Sequence, residues 1–356
     1  MDRERETVLI TGSSGLLGRA TALALAPNYR VIGLDNDIPE TANGAETVKV
    51  DLTDSEEVTR AIQRVKEMSE GRLASVIHLA AYYDFSGEDS PLYDELTVNG
   101  TERLLQQLRQ QAIDVEQFVF SSSLLVMKPT EPGIAMTELF PTQAEWPYPQ
   151  SKLETEELLK RHHGDIPLVI HRIAGVYDEE CHSIPISQQI KRIRERELES
   201  YVYPGNPNHG QSFVHREDVV ACLVATVERR HDLDREEVFL IGEEDVVSYG
   251  EMQERLGEQI HGQEWPVIRI PKMVAKAGAW AKDNLPGTDD PFIKTWMIDL
   301  ADAHYELDIT KAKSHLRWTP KHSLRGMIAK MVANLERDPE AWYQRHGLEV
   351  PNAVAN

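Results

Sequence analysis

The chain is poor in cysteine: 356 residues contain two, Cys181 and Cys222. They lie far apart and in no metal-ligand spacing, which argues against a disulfide framework and against a zinc site. No metal is expected. Long apolar runs are also missing. No stretch of about 18 apolar residues occurs, so no membrane span is expected. The opening Met1-Asp2-Arg3-Glu4-Arg5-Glu6 is charged and lacks the apolar region of a signal peptide. These absences make a soluble, cytoplasmic protein the expectation. Basic residues are in deficit too: 38 Lys and Arg stand against 59 Asp and Glu, a formal net charge of −21. Such a surface repels nucleic acid and anionic membranes, so neither is an expected partner. Internal repeats and low-complexity tracts are absent. What remains, 41% hydrophobic and 27% charged, is ordinary globular composition with the length for a sizeable core.

The first half alternates short β-rich runs with helical patterns. Strands are expected at Thr7–Thr11, Arg30–Asp35, Thr47–Val50, Ser75–Leu79, Gln117–Ser121 and Pro167–Arg172. Helices are expected at Leu16–Ala26, Ser55–Met68, Leu92–Gln111 and from about Pro149 to His163. This alternation predicts an α/β fold, a Rossmann-type doubly wound parallel sheet. The strand runs are apolar throughout, as a sheet covered on both faces requires. After Tyr177 the rhythm loosens. Ile186–Glu197 and Glu217–Arg229 read as helices, Tyr203–Gly210 as a breaker, Glu237–Ile241 as a strand, and the tail from Tyr249 as mostly helical. The expected division is a dinucleotide-binding domain over 1–178, joined by 212–245. A smaller, mostly helical C-terminal substrate-binding cap would be built from 179–211 and 246–356.

The run Thr11-Gly12-Ser13-Ser14-Gly15-Leu16-Leu17-Gly18 closes the first strand and opens the first helix. Glycines at 12, 15 and 18 permit the tight turn, close approach of the backbone to a pyrophosphate, and close helix–strand packing. Amide groups at the helix start, around Ser14, Gly15 and Leu16, suit an anion, aided by the helix dipole. Asp35 ends the second strand, where a carboxylate accepts bonds from ribose hydroxyls and repels a 2′-phosphate. The expected cofactor is therefore NAD rather than NADP. Asp51-Leu52 ends the third strand, with Asp51 either reaching the adenine edge or capping the next helix. In His78-Leu79-Ala80-Ala81 the small residues Ala80 and Ala81 let the backbone approach the cofactor, with Leu79 beside them as a further cofactor contact, whereas His78 reads as packed rather than catalytic.

Tyr148 and Lys152 lie four apart where a helix is expected, and so share one face. A free tyrosine, with a pKa of roughly 10, is a poor base at neutral pH. A neighbouring ammonium favours the phenolate and lowers that value. Ser123, at the end of the fifth strand, is placed to hold a substrate oxygen. The chemistry this set suggests is proton removal from an alcohol by Tyr148 as hydride passes to a nicotinamide. The same lysine is placed to bond the nicotinamide ribose.

In these segments the chain resembles the extended short-chain dehydrogenase/reductases, also called the NAD-dependent epimerase/dehydratase family. The likeness runs through the glycine turn, Asp35, Asp51-Leu52, His78–Ala81, Val98-Asn99-Gly100-Thr101, Phe120–Ser123, Tyr148–Lys152, Arg172–Tyr177 and Phe213–Asp218, over about residues 7 to 245. It implies Ser123, Tyr148 and Lys152 as a catalytic triad, Asn99 near the cofactor or capping a helix, and a homodimer.

The departures bear on substrate. Leu124-Leu125 follows Ser123 where dehydratases of the family carry Asp-Glu, so water elimination lacks its usual acid and base. Gln211 stands where nucleotide-sugar epimerases carry a phosphate-gripping arginine, although Arg192 or Arg194 offers an alternative. Glu179-Glu180 would add negative charge near the site if directed inward. The small-molecule substrate is therefore expected to be uncharged, with Met273, Val274, Trp280, Phe292 and Trp296 offering apolar helix faces. Three readings stay open: an NAD-dependent oxidoreductase of a secondary alcohol or ketone, a nucleotide-sugar epimerase using bound NAD, and a non-catalytic NAD sensor.

Overall fold

The computed structural model describes residues 5–38, 44–84, 86–284 and 293–351. Seven strands form its central sheet: β1 (Thr7–Thr11), β2 (Arg30–Asp35), β3 (Glu46–Lys49), β4 (Ser75–His78), β5 (Phe118–Ser123), β6 (Leu168–Ile173) and β7 (Glu236–Ile241). Their order is β7-β6-β5-β4-β1-β2-β3 and every pairing is parallel. This is the doubly wound Rossmann arrangement. The order reverses between β1 and β4, so the crevice beyond their carboxyl ends is where such a sheet takes its ligand.

The apolar strand runs follow from burial on both faces. Val8 and Ile10 pack into one core with Ala22, Leu25, Val119, Leu223 and Val227. Leu9, between them in sequence, packs on the opposite face with Ile32, Ile62, Leu104, Phe118 and Leu159. Side chains alternate across a strand, so one short run feeds both layers. The covering helices are α1 (Leu16–Leu25), α2 (Ser55–Met68), α3 (Asn99–Gln110), α4 (Pro147–His162) and, after α5 (Ile184–Arg194), which packs apart from the sheet, α6 (Arg216–Glu228). Asp54 caps α2, accepting from the amides of Glu56 and Glu57 at 2.8 and 3.0 Å.

One expected helix is divided. Tyr93–Val98 is a π-helical segment, and α-helix begins at Asn99. Thr97 gives the physical reason. Its hydroxyl accepts the Tyr82 amide at 2.9 Å, and its carbonyl accepts the Thr101 hydroxyl at 2.6 Å. Side-chain hydrogen bonds compete here with the regular ladder.

The remaining helices are α7 (Tyr249–His261), α8 (Lys272–Asn284), α9 (Thr295–Asp299), α10 (Thr310–Leu316), α11 (Leu324–Arg337) and α12 (Pro339–Arg345). A third core joins α5, α7 and α11 through Ile186, Ile190, Met252, Leu256, Ile328 and Met331. Trp342 and Tyr343 are buried in it and anchor α12. Glu179 turns to Lys330 at 3.0 Å, and Glu180 pairs with Arg345. These two acids are thus engaged by the C-terminal helices. Met273, Val274 and Trp280 on α8 are largely exposed, and Phe292 lies outside the described residues. No helix among the described residues is long and apolar enough to cross a membrane.

Candidate active site

The glycine turn sits at the carboxyl end of β1. Gly12 has a φ of +68°, and a Cβ there would stand 3.0 Å from the Ala80 nitrogen. A Cβ on Gly18 would stand 2.0 Å from the Gly12 carbonyl oxygen. Both positions therefore demand glycine for close packing of turn, helix and neighbouring strand end. Gly15 is the N-cap of α1, with no side-chain cap and no acidic residue in the first turn. This helix start is a ready anion site. Asp35 accepts the Ser14 amide at 2.8 Å and the Asp37 amide at 3.2 Å. Ser14 is thus tied to the carboxylate, which differs from an amide directed at phosphate. Carboxylate, glycine turn and open helix start together fit a dinucleotide.

Asp51 is exposed and accepts both the amide and the hydroxyl of Thr53 at 2.8 Å. The cap of α2 is Asp54, not Asp51. Leu52 is buried beneath Gly100. Leu79, Ala80 and Ala81 are half-buried at the β4 exit. His78 is fully buried between the hydroxyls of Thr11 at 2.6 Å and Thr101 at 2.7 Å. Burial holds its pKa down to about 3, with Lys152 adding to the effect, so it stays neutral. Asn99 opens α3 and its side chain bonds Glu95 at 3.3 Å.

Strand and helix bring the three proposed catalytic side chains together. β5 runs on through Ser121, Ser122 and Ser123. α4 starts at Pro147, so Pro149 still falls among the first four residues, whose N–H groups lack helical partners. Ser123 lies near the Tyr148 hydroxyl and favours the phenol's ionised form, while the Ser123 Oγ accepts the Leu125 amide at 3.2 Å. Lys152 is buried, and its Nζ donates to the Ser121 carbonyl at 2.7 Å. That Nζ lies 6.0 Å from the centre of the Tyr148 ring and 4.9 Å from that of Phe120.

The electrostatics differ from the expectation. Burial pushes the Tyr148 phenol up to about 12, opposed by the neighbouring Ser123. Burial also brings Lys152 down to about 7, opposed by the Glu156 carboxylate. A lysine directed at a carbonyl and half relieved of its charge does not depress the phenol as a facing ammonium would.

Aromatic rings wall this centre. Tyr83 meets Tyr148 edge-on at 4.9 Å, and Trp146 lies 5.5 Å from Tyr148. Trp296 stacks on Trp146 at 4.7 Å and donates its indole N–H to the Ser86 carbonyl at 2.8 Å. Gly87, at a φ of +76°, makes room for it: a Cβ would reach within 2.1 Å of the indole nitrogen. Gln211 pairs instead with Val247 on a short antiparallel ladder. Cys181 is buried, and His182 bonds Asp178 at 2.8 Å.

Three residues went unread in the sequence. Tyr83 and Trp146 carried no periodic signal. Glu156 continued the Tyr148–Lys152 spacing by one more turn and was the detectable one.

His215, Glu217 and His322 bring one donor atom each within 4.8 Å of one another. Their chemistry does not favour a cation. The Nδ1 of His215 accepts the Glu217 amide as the cap of α6, which leaves the proton on Nε2. A cation would also face the positive end of that helix.

Several known proteins share this architecture. A UDP-glucose 4-epimerase from Bacillus subtilis (strain 168) is 30% identical over 171 residues, 44% of this chain and 48% of that one. The chain thus spans about half the length of this curated relative. Over their full folds, the Thermotoga maritima UDP-glucose 4-epimerase with UDP-glucose is similar at a TM-score of 0.68 and 22% identity, covering 94% of this chain and 100% of that one. The Bacillus anthracis str. Ames dTDP-glucose 4,6-dehydratase in complex with NAD is similar at 0.69 and 17%, covering 96% and 99%. The family described as NAD dependent epimerase/dehydratase matches residues 8–242, from the first strand to the last strand of the sheet, and this chain belongs to it.

Proposed function

We propose that the protein is an NAD-dependent oxidoreductase acting on a secondary alcohol or ketone of an uncharged, ring-bearing substrate. Bound NAD supplies the hydride acceptor or donor. Tyr148 takes the alcohol proton in oxidation and returns it in reduction, Ser123 holds the reacting oxygen, and Lys152 positions the ribose side. The turn at Gly12–Gly18 and Asp35 hold the dinucleotide. Asp51, Leu52, Leu79, Ala80, Ala81 and Asn99 line its path in this reading. The observation that carries the substrate class is the aromatic wall. Tyr83, Trp146 and Trp296 crowd the approach to Tyr148, and such surfaces suit an apolar ring face.

A second reading, a nucleotide-sugar epimerase, is favoured by the likeness to UDP-glucose 4-epimerases. In that case the hydride returns to the opposite face of the same carbon and no NADH accumulates. Incubation with NAD and either UDP-glucose or a panel of sterol and polyphenol alcohols separates the two. Stoichiometric NADH with an uncharged alcohol supports the first. Formation of the 4-epimer of the UDP-sugar without free NADH overturns it.

A further inference from the structure

Glu156 has no place in the scheme above, yet it is one of the most enclosed charges in the molecule, with no exposed surface. It sits on α4 one turn beyond Lys152 and two beyond Tyr148. Residues four apart share a helix face, so all three look toward the end of β5. Its Oε1 accepts the Ser122 hydroxyl at 2.6 Å and the Arg172 Nε at 3.0 Å. Its Oε2 accepts a second guanidinium nitrogen of Arg172 at 2.7 Å. Arg172 belongs to β6, the neighbour of β5 in the sheet. The pair is forked and fully satisfied, the geometry in which a buried ion pair is tolerated.

Ser122 stands between the two residues that touch the proposed proton-transfer set. The Ser121 carbonyl receives Lys152, and the Ser123 hydroxyl meets Tyr148. The Ser121 hydroxyl meanwhile donates to the His78 carbonyl at 3.1 Å, tying β5 to β4. Three consecutive serines are thus pinned from three sides, and the pin at the middle one is a carboxylate.

We propose that Glu156 is a positioning residue: through Ser122 and Arg172 it fixes the β5 end that holds Lys152 and Tyr148, and it supplies the counter-charge beside Lys152. Arg172 on β6, Ser122 on β5 and Lys160 on its own helix meet this carboxylate, the Lys160 Nζ at 3.5 Å and partly in solvent, and Lys152 shares its helix face one turn back. His78, held between Thr11 and Thr101, stays neutral. Burial disfavours the Lys152 ammonium and Glu156 opposes that effect. Glu156 thus keeps the lysine chargeable in a dry site.

That Lys152 serves catalysis rests on the proposed function; its titration does not. The test is therefore made on NAD-saturated protein without substrate. Lysines are labelled with 13C at Cε, and the Lys152 resonance is assigned by its loss in Lys152→Met. In Glu156→Gln the Lys152 midpoint is expected about one pH unit or more below wild type. Glu156→Asp, which keeps the charge and shortens the reach, returns it most of the way. With a working substrate, Glu156→Gln also lowers kcat about tenfold while KM for NAD stays within about twofold. An unmoved Lys152 midpoint in a variant that binds NAD normally overturns the proposal. Should Glu156→Gln fail to fold, Ser122→Ala cuts the carboxylate from β5 with both buried charges kept: a shifted Lys152 Cε resonance at fixed pH supports the proposal and an unshifted one overturns it. If no alcohol or sugar nucleotide is turned over by wild type, the functional reading fails while the lysine titration still reports.

Discussion

The Nζ of Lys152 donates to the Ser121 carbonyl at 2.7 Å and stands 6.0 Å from the centre of the Tyr148 ring. In this structure the lysine holds the strand end rather than the phenol. Burial leaves the phenol near 12 and the lysine near 7. A general base working near neutrality therefore needs its environment rearranged on ligand binding, and bound NAD contributes a positively charged nicotinamide.

Lys152 makes stability depend on pH in a definite sense. Its folded value, about 7, lies below the ordinary 10.5. Below pH 7 it is charged in both states and burial of that charge destabilises the fold. Between about 7 and 10.5 the folded protein holds fewer protons than the unfolded chain, so this group's contribution improves as pH rises and the penalty is gone above 10.5. Lys152→Met should raise the Tm of the NAD-free protein at pH 6, by about 2 °C or more, and by less at pH 9. Thermal melts at the two values check this.

Tyr148→Phe removes the phenolic proton carrier and little volume. Turnover should fall by about 10²-fold or more, while NAD affinity measured by calorimetry stays within about threefold. A variant that turns over at the wild-type rate would remove Tyr148 from the chemistry.

The glycine turn gives a graded series. Gly18→Ala drives a methyl to 2.0 Å from the Gly12 carbonyl oxygen, whereas the nearest neighbour of a Cβ at Gly15 is 3.4 Å away. Gly18→Ala should lose about 1–3 kcal/mol of stability and NAD binding with it. Gly15→Ala should leave the Tm of the NAD-free protein nearly unchanged and weaken NAD binding alone. Melts with and without NAD distinguish the two.

Asp35→Asn removes the carboxylate at the β2 end while keeping an acceptor for the Ser14 amide. NAD binding should weaken about tenfold, and the preference for NAD over NADP should shrink. Competition between the two dinucleotides measures that ratio.

Much of this was legible in the sequence because the sheet is covered on both faces. Uninterrupted apolar runs such as Val8-Leu9-Ile10 could be placed within a residue or two. The glycine turn was equally clear, since its spacing carries its own sterics. The π-helical segment at Tyr93–Val98 was not legible, because it depends on Thr97 finding partners in Tyr82 and Thr101, which tertiary contact supplies. The direction of the Tyr148 shift departs from the expectation for a related reason. Spacing along a helix reports which side chains share a face, not where an ammonium points or how dry its surroundings are. The Trp146–Trp296 stack joins segments distant in sequence and left no local pattern.

The seventh strand enters the sheet from far along the chain, pairing β6 only after α5 and α6 have been laid down. A nascent or truncated protein ending near residue 200 would carry β6 with its outer backbone bare, an open template for sticking to another copy. A boundary drawn after Tyr177 to isolate the nucleotide-binding half should therefore yield aggregates, whereas one drawn past Ile241 supplies the missing edge.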